Sequence, residues 1–393
     1  MHREMICCGN IAAGRQANFF YHILTRVNTT TVLEGIMNKK MLKKVAASFL
    51  MVSLLAVSAT GCGASGKAAG DGDMPTLRIG AMPYYLSVPL QVIQDEGLDK
   101  KYEFQMEIID FPSGGSMSEA LGAGEWDIGP IGAGGMTGIS NYNAKLIADV
   151  EYEMDGAWII ARPDSPIVKA GATLADYPEV IGSTDTVKGS TILGTVGNIS
   201  HYMAIDYCAK YGLSIEDVNF LNMETSNVYT AFVSGQGDLA CIGSPSAGLK
   251  LLSEGYVLVG GLKQQGNSQQ DCILVSDEFY TKNYEACVRF MCAWLEACGK
   301  LNADQKYEEE KVAKFYTEHG RTDFTDADVA DECNWNTYND ASNILEKETG
   351  AWMKGLVQCY VDTGTMDESV IQAMQTNINT DIVNDALKRL NQK

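Results

Sequence analysis

The stretch Phe111 to Gly132, FPSGGSMSEALGAGEWDIGPIG, constrains the fold more than any other part of the chain. An apolar run over 104–111 has the length and bounds of a β-strand. The turn Ser113-Gly114-Gly115 then lets the backbone approach a ligand, and a side chain at Gly115 would intrude. Ser116 and Glu119 have the spacing of a capping box, which predicts a helix from Ser116. Free N–H groups at such a helix start predict an anion or dipole site.

Strand and helix patterns alternate along the chain, which favours an α/β fold with mostly parallel sheets. The first lobe is predicted to contain strands at 76–80, 104–111, 127–131, 145–150 and 157–161. The second is predicted to contain strands at 180–184, 191–196, 218–222 and 238–242, with helices at 200–211 and 227–233. The chain then returns to the first lobe near 269–276, and from Tyr284 onward the pattern is helical.

Seven short segments, taken in order, carry a family resemblance. They are Leu77 to Gly80 with Pro83, Phe111 to Glu119, Glu119 to Gly129, Asp164 to Ile167, Gly197 to Tyr202, Glu216 to Val218 and Val233 to Gly235. Over about two hundred residues they resemble the substrate-binding proteins of ABC importers for nitrate, aliphatic sulfonates, taurine and thiamine pyrimidines. The resemblance implies a type II periplasmic-binding-protein fold, in which two α/β lobes are joined by two crossover hinge segments.

The N-terminal region has the pattern of an export signal. Four lysines over 39–44 precede an apolar run, Val45 to Ala59, which is too short to span a bilayer. Ala59-Thr60-Gly61-Cys62 resembles a bacterial lipoprotein cleavage box with Cys62 as the lipidated residue, and a plain secretory signal is the alternative. The residues before it fit no targeting pattern, and we expect translation to begin at Met37.

These patterns predict a division of the chain into six parts. They are an extra or untranslated segment 1–36, a signal peptide 37–61, a flexible tether 62–75, the first part of lobe I 76–160, lobe II 161–271, and the remainder of lobe I with C-terminal helices 272–393.

Charge and cysteine content exclude several functions. The net charge of −20 becomes −25 without residues 1–61, which hold seven Lys/Arg and two Asp/Glu, and such acidity argues against nucleic acid as a partner. Eight cysteines beyond Cys62 lie mostly in apolar patterns and are expected to be buried free thiols. The absence of C-x-x-C spacing and the scarcity of histidine argue against zinc. No catalytic triad spacing is readable, so neither catalysis nor a cofactor is expected.

The position of each segment in the resemblance places the ligand site in the cleft between the lobes. The expected lining residues are Tyr84, Tyr85, Ser113, Gly114, Gly115, Ser116, Gly132, Ala133, Asn198, Ser200, His201, Tyr202, Glu224 and Ser244. These segments contain no Lys or Arg, so an anion would be held by backbone N–H groups. The tyrosines either bind a ring or an apolar chain of the ligand or belong to the core. Glu224 either binds an amine of the ligand or is a solvated carboxylate. His201 either caps the helix or contacts the ligand.

The resemblance implies an extracytoplasmic solute-binding lipoprotein, held at the outer face of the cytoplasmic membrane by a lipid anchor. It would capture a small organic or sulfonate-like solute as a monomer and deliver it to the permease and ATPase subunits of an ABC importer. Gly243 and Ser244 replace a larger family residue before Pro245, which puts sulfonate and nitrate in doubt. The alternatives are an enzyme on the same fold, either thiamine-pyrimidine synthase-like or dehydratase-like, and a sensory solute receptor.

Overall fold

The computed structural model describes residues 74–392. The predicted segment 1–36, the signal peptide and Cys62 lie outside these residues. The described strands are β1 (Thr76–Ala81), β2 (Gln105–Asp110), β3 (Ile128–Ile131), β4 (Lys145–Glu153), β5 (Trp158–Ala161), β6 (Thr191–Gly194), β7 (Asn219–Asn222), β8 (Leu239–Ile242), β9 (Val257–Gly261), β10 (Gln269–Val275) and β11 (Asn336–Tyr338).

The helices alternate with these strands and then dominate the C-terminal part. They are α1 (Val88–Asp95), α2 (Leu98–Lys101), α3 (Gly114–Gly122), α4 (Gly135–Tyr142), α5 (Pro166–Ala170), α6 (Thr184–Val187), α7 (Ile199–Lys210), α8 (Thr225–Val233), α9 (Pro245–Ser253), α10 (Asp277–Lys282), α11 (Tyr284–Ala303), α12 (Gln305–Glu318), α13 (Asp326–Trp335), α14 (Ala351–Asp362), α15 (Ser369–Thr376) and α16 (Asp381–Asn391). Two 3₁₀ turns lie at Tyr85–Ser87 and Ile215–Asp217.

The strands form two mixed sheets. The first has the order β11-β4-β10-β3-β1-β2, and the second has the order β7-β6-β8-β5-β9. The chain passes from the first sheet to the second over 154–157 and returns over 262–268. Strand β10, which follows this return, lies between β3 and β4 and runs antiparallel to both.

This topology corrects three sequence-based predictions. The sheets are not mostly parallel, because β5 pairs antiparallel with β8 and β9, and β10 and β11 pair antiparallel with β4. The strand predicted at 157–161 as part of the first lobe forms at 158–161 but pairs in the second sheet. No strand occupies 180–184, where Ile181 makes an isolated bridge with Ala172. Strands β9 and β11 were not predicted.

The helix after β2 begins earlier than predicted. Its N-cap is Ser113, whose hydroxyl accepts a hydrogen bond from the Ser116 N–H at 3.3 Å, and the helix starts at Gly114. The predicted capping box between Ser116 and Glu119 is therefore wrong. Serine at either position can cap a helix, and the register was decided by packing of the helix against α4.

Apolar residues fill the space between each sheet and its helices. Helix α11 lies against α1 and α16, and its buried side chains include Phe290 and Trp294. All eight cysteines among the described residues are buried, as predicted. Within residues 74–392, no helix is both long and apolar enough to cross a bilayer.

Candidate functional site

A cavity of about 110 Å³ lies where the carboxyl ends of the parallel strands meet. Segments that follow β1, β2 and β3 line it from the first sheet, and segments that follow β6, β7 and β8 line it from the second. The lining residues are Met82, Tyr84, Tyr85, Leu86, Pro112, Ser113, Gly114, Gly132, Ala133, Gly134, Glu151, Glu153, Asn198, Ile199, Thr225, Gly243, Pro245, Gln269, Asp271, Glu332 and Asn336.

Several helix N-termini border the cavity, and those of α3 and α7 are capped by side chains. Ser113 and Gly114 bring the start of α3 to it, and Asn198 and Ile199 bring the start of α7. The Asn198 side chain caps α7 by accepting from the Ser200 N–H at 3.0 Å and from the Ser200 hydroxyl at 2.7 Å. Both ends carry the positive end of a helix dipole, which favours a negative or polar ligand group on this wall.

The opposite wall is acidic. Strands β11, β4 and β10 are neighbours, and antiparallel pairing sets Glu151 opposite Asp271 and Glu153 opposite both Gln269 and Asn336. Side chains directly opposite in such pairs lie on the same face, so all five point to one side of the sheet. The Gln269 amide donates to Glu153 Oε2 at 2.9 Å and to Asp271 Oδ1 at 2.7 Å. We call Glu151, Glu153, Gln269, Asp271 and Asn336 the acidic floor.

Burial raises the pKa of each carboxyl group of the acidic floor. Burial and then the neighbouring Asp149 raise the pKa of Asp271 to about 7, against the hydrogen bond from Gln269. Burial, Asp271 and Glu153 raise the pKa of Glu151 well above its usual value. Burial, Asp271 and Glu332 raise the pKa of Glu153 well above its usual value, and burial has the largest effect.

Glu332 also lines the cavity, but its charge is compensated. It pairs with the buried Arg321 and accepts a hydrogen bond from the Tyr316 hydroxyl. On the same side, the Tyr85 ring stacks on Tyr338 with centroids 4.6 Å apart, and the Tyr338 hydroxyl donates to the Tyr85 carbonyl at 2.7 Å. These two contacts with Tyr338 hold Tyr85 in its position at the cavity.

The structure brings half of the sequence-predicted site residues to the cavity. These are Tyr84, Tyr85, Ser113, Gly114, Gly132, Ala133 and Asn198. Gly114 is in close backbone contact with Gly134, since a Cβ built on Gly114 would lie 3.2 Å from the Gly134 Cα. At Gly115 the nearest atom to such a Cβ is Ser113 Oγ at 3.9 Å, so the fold leaves room for a side chain there.

The other seven predicted residues do not line the cavity, and their contact with ligand stays a prediction. They are Gly115, Ser116, Ser200, His201, Tyr202, Glu224 and Ser244. His201 is buried between Phe220 and Tyr360, with ring centroids 4.7 and 5.2 Å away, and burial lowers its pKa to about 4. Glu224 is exposed at the start of α8.

Sequence reasoning missed the acidic floor. A usable signal was present, because Asp149, Glu151 and Glu153 alternate along a strand and therefore share one face. The predicted strand ended at 150, which left the two glutamates in an assumed loop. Among the described residues, no group of histidine, cysteine or acidic side chains has the arrangement of a metal site.

Comparison with known proteins gives a family and a fold. The model of the NMT1-like family matches residues 70–316. A protein of Brachyspira hyodysenteriae named as an ABC transporter periplasmic binding protein is 30% identical over 344 residues, which are 88% of this chain and 98% of that protein.

Two solved structures show the range of proteins that share the fold. The alkanesulfonate-binding protein of Xanthomonas axonopodis pv. citri, bound to MOPS, is 17% identical and has a TM-score of 0.60, covering 78% of this chain and 99% of its own. The desulfurization enzyme DSZB is 12% identical, with a TM-score of 0.55 and coverage of 80% and 99%. The two-lobed periplasmic-binding-protein fold predicted from sequence is confirmed.

Proposed function

The chain belongs to the NMT1-like family, and from this premise we propose that it is an extracytoplasmic solute-binding protein that delivers a small molecule to an ABC importer. The observation that carries the proposal is the cavity between the two sheets, to which both contribute polar side chains and helix N-termini. Clefts between lobes are favoured sites for small ligands. The protein is proposed to act as a monomer without a cofactor.

The two crossover segments are proposed as hinges. They are short, at 154–157 and 262–268, and they are the covalent links between the sheets. Gly156 has a φ of +93°, a conformation that residues with side chains rarely adopt. The boundaries predicted from sequence, 160/161 and 271/272, lie a few residues beyond these segments, within β5 and β10. Ligand is proposed to close the lobes around the cavity by movement at the two crossovers.

Capture of transporter subunits by the tagged protein tests this function, and the test does not require the ligand to be known. The full-length chain carrying a C-terminal tag, expressed in its own host and crosslinked in intact cells, is expected to capture ABC permease and ATPase subunits. Capture of a sensor kinase instead would favour the sensory receptor. Capture of neither would contradict the delivery role.

Membrane anchoring at Cys62 is a separate proposal, supported by the basic, apolar and small-residue pattern before it. Wild-type protein is expected in the membrane fraction with a lipid mass on its N-terminal peptide. Cys62→Ala is expected to release soluble protein or to leave uncleaved precursor. Fully soluble wild-type protein would show that the anchor is wrong.

An enzyme on the same fold is the alternative that the similarity to a desulfurization enzyme keeps open. Incubation of the purified protein with each ligand that it binds, followed by mass spectrometry, separates the two functions. A solute-binding protein returns the ligand unchanged, whereas product formation would identify an enzyme.

A further inference from the structure

Three buried oxygen atoms of the acidic floor have no hydrogen-bond partner among the described residues. They are Glu151 Oε2, Gln269 Oε1 and Asn336 Oδ1, on residues that are 2%, 6% and 8% exposed. The amide orientations are fixed, because Gln269 Nε2 donates to two carboxylates and Asn336 Nδ2 donates to the Glu332 carbonyl. A buried oxygen without a hydrogen-bond donor lowers the stability of the fold, so the fold alone does not explain these three atoms.

The carboxyl groups of the acidic floor also have no basic side chain as a partner within the described residues. Glu151 and Asp271 are directly opposite on β4 and β10, and like charges in this arrangement destabilise a sheet. The cavity lining described above contains no lysine or arginine, and Arg321 is engaged by Glu332. A cluster that lowers stability without an evident structural gain is typical of a functional site.

We propose that the acidic floor binds a small organic cation that carries several N–H donors, such as an amidinium, guanidinium or primary ammonium group. This inference rests on the proposed solute-binding function and names the class of its ligand. The three unpartnered oxygens are acceptors, so they require donor hydrogens, which a quaternary ammonium lacks.

The geometry favours this class over the other candidates. An anion at the acidic floor would have no basic side chain in the lining to pair with, and Glu151, Glu153 and Asp271 would repel it when they are ionised. The described residues offer no metal-ligand group. The cavity of about 110 Å³ is below the roughly 300–1,000 Å³ of drug-sized sites, so the cation is small.

Isosteric pairs that differ in charge test the inference. The purified protein is titrated with acetamidinium against acetamide, guanidinium against urea, and methanesulfonate, all at one ionic strength, with affinity measured by ligand-detected NMR. Each cation is expected to bind at least tenfold more tightly than its neutral isostere. Equal affinities within a pair, tighter binding of methanesulfonate, or no binding of either cation would overturn the inference.

Variants of the acidic floor separate a ligand role from a structural one. Glu151→Gln and Asp271→Asn are expected to weaken acetamidinium binding at least tenfold. The Tm of the free protein is expected to stay level or rise at a pH above 7, where the carboxyl groups begin to ionise and each variant removes like-charge repulsion. Glu153→Gln, at a less buried position, serves if either variant fails to fold. Glu119→Gln, at an exposed acid on α3, is the matched control and should bind normally. Unchanged affinity in all three floor variants would overturn the inference.

The affinity for a cation is expected to decrease as the pH is lowered. A cation competes with protons for the acidic floor, so acetamidinium affinity should fall as pH is lowered through about 7, where Asp271 takes up its proton. The titratable and charged groups that face the floor are Asp149, Glu151 and Glu153 on β4, Asp155 after it, Asp271 on β10, Glu308 on α12, Arg321 after it, Glu332 on α13, and Tyr85, Tyr316 and Tyr338. Affinity that does not change with pH would overturn the inference.

Failure of this inference and failure of the proposed function give different results. Binding of methanesulfonate with transporter capture intact leaves the solute-binding function standing and overturns the cation preference alone. Loss of transporter capture contradicts the delivery role, whichever ligand binds.

Discussion

At the scale of single residues, His201 is a buried base between two aromatic rings, and its Nδ1 has no partner among the described residues. Its pKa falls from 6.5 to about 4, so the unfolded chain takes up a proton at a higher pH than the folded chain does. Stability therefore decreases as pH falls through 6.5 and levels off below about 4.

His201→Phe should remove this pH dependence. Between neutral pH and pH 4, wild type is expected to lose about 3 kcal/mol of unfolding free energy relative to the variant, which keeps the ring contacts. Urea unfolding of both proteins at a series of pH values provides the difference. Parallel stability curves would show that His201 does not titrate in this way.

Gly114 and Gly115 form a matched pair. Gly114→Val should lower stability by about 1–3 kcal/mol and weaken ligand binding, because its Cβ would lie 3.2 Å from the Gly134 backbone and the cavity wall would move. Gly115→Val should change both quantities little, since Gly115 is exposed and has room for a side chain. Melting temperature and affinity are measured on both variants. Equal losses would contradict the assignment of the close contact to Gly114.

At the scale of secondary-structure elements, α14 contacts both the crossover 262–268 and the N-terminus of α7. Its Trp352 Nε1 donates to the Ser268 carbonyl at 2.7 Å, and its Tyr360 hydroxyl donates to the Asn198 carbonyl at 2.7 Å. Asn198 caps α7 and also lines the cavity. This C-terminal helix therefore supports the position of the α7 N-terminus.

Tyr360→Phe should lower stability by about 1 kcal/mol, because the Asn198 carbonyl loses the hydroxyl donor and keeps only the His201 and Tyr202 N–H groups. Affinity should fall as well, since the helix start that borders the cavity becomes less well fixed. Tyr142→Phe, which removes the hydroxyl of an exposed tyrosine, is the control. Chemical denaturation and ligand titration are the measurements, and a wild-type affinity in Tyr360→Phe would refute the supporting role of α14.

At the scale of the whole molecule, the two sheets should move closer to each other when ligand binds. Both sheets line the cavity, so a ligand that contacts both should favour a closed state over an open one. Small-angle scattering with the tightest-binding compound of the titrations should show a smaller radius of gyration than without it. An unchanged radius at saturation would contradict hinge closure about 154–157 and 262–268.

Much of the architecture could be predicted from local sequence. Apolar periodicity located β1 to β4, and glycine and serine turns placed the starts of α3 and α7 to within one or two residues. These features depend on residues that are close in sequence, because capping and strand formation are short-range effects. The seven predicted residues that line the cavity come mostly from such turns.

The acidic floor, in contrast, was decided by tertiary structure. The alternation in Asp149, Glu151 and Glu153 fixes a shared face, but nothing local shows that Gln269 pairs with Glu153, 116 residues earlier in the chain. Asn336 joins them only through the short strand β11. Register between distant antiparallel strands depends on how the whole sheet packs, and a shift of one residue would turn every side chain to the other face. The sequence by itself therefore determined which turns and helix starts border the cavity, and only the folded sheet decided which carboxyl groups line it as well.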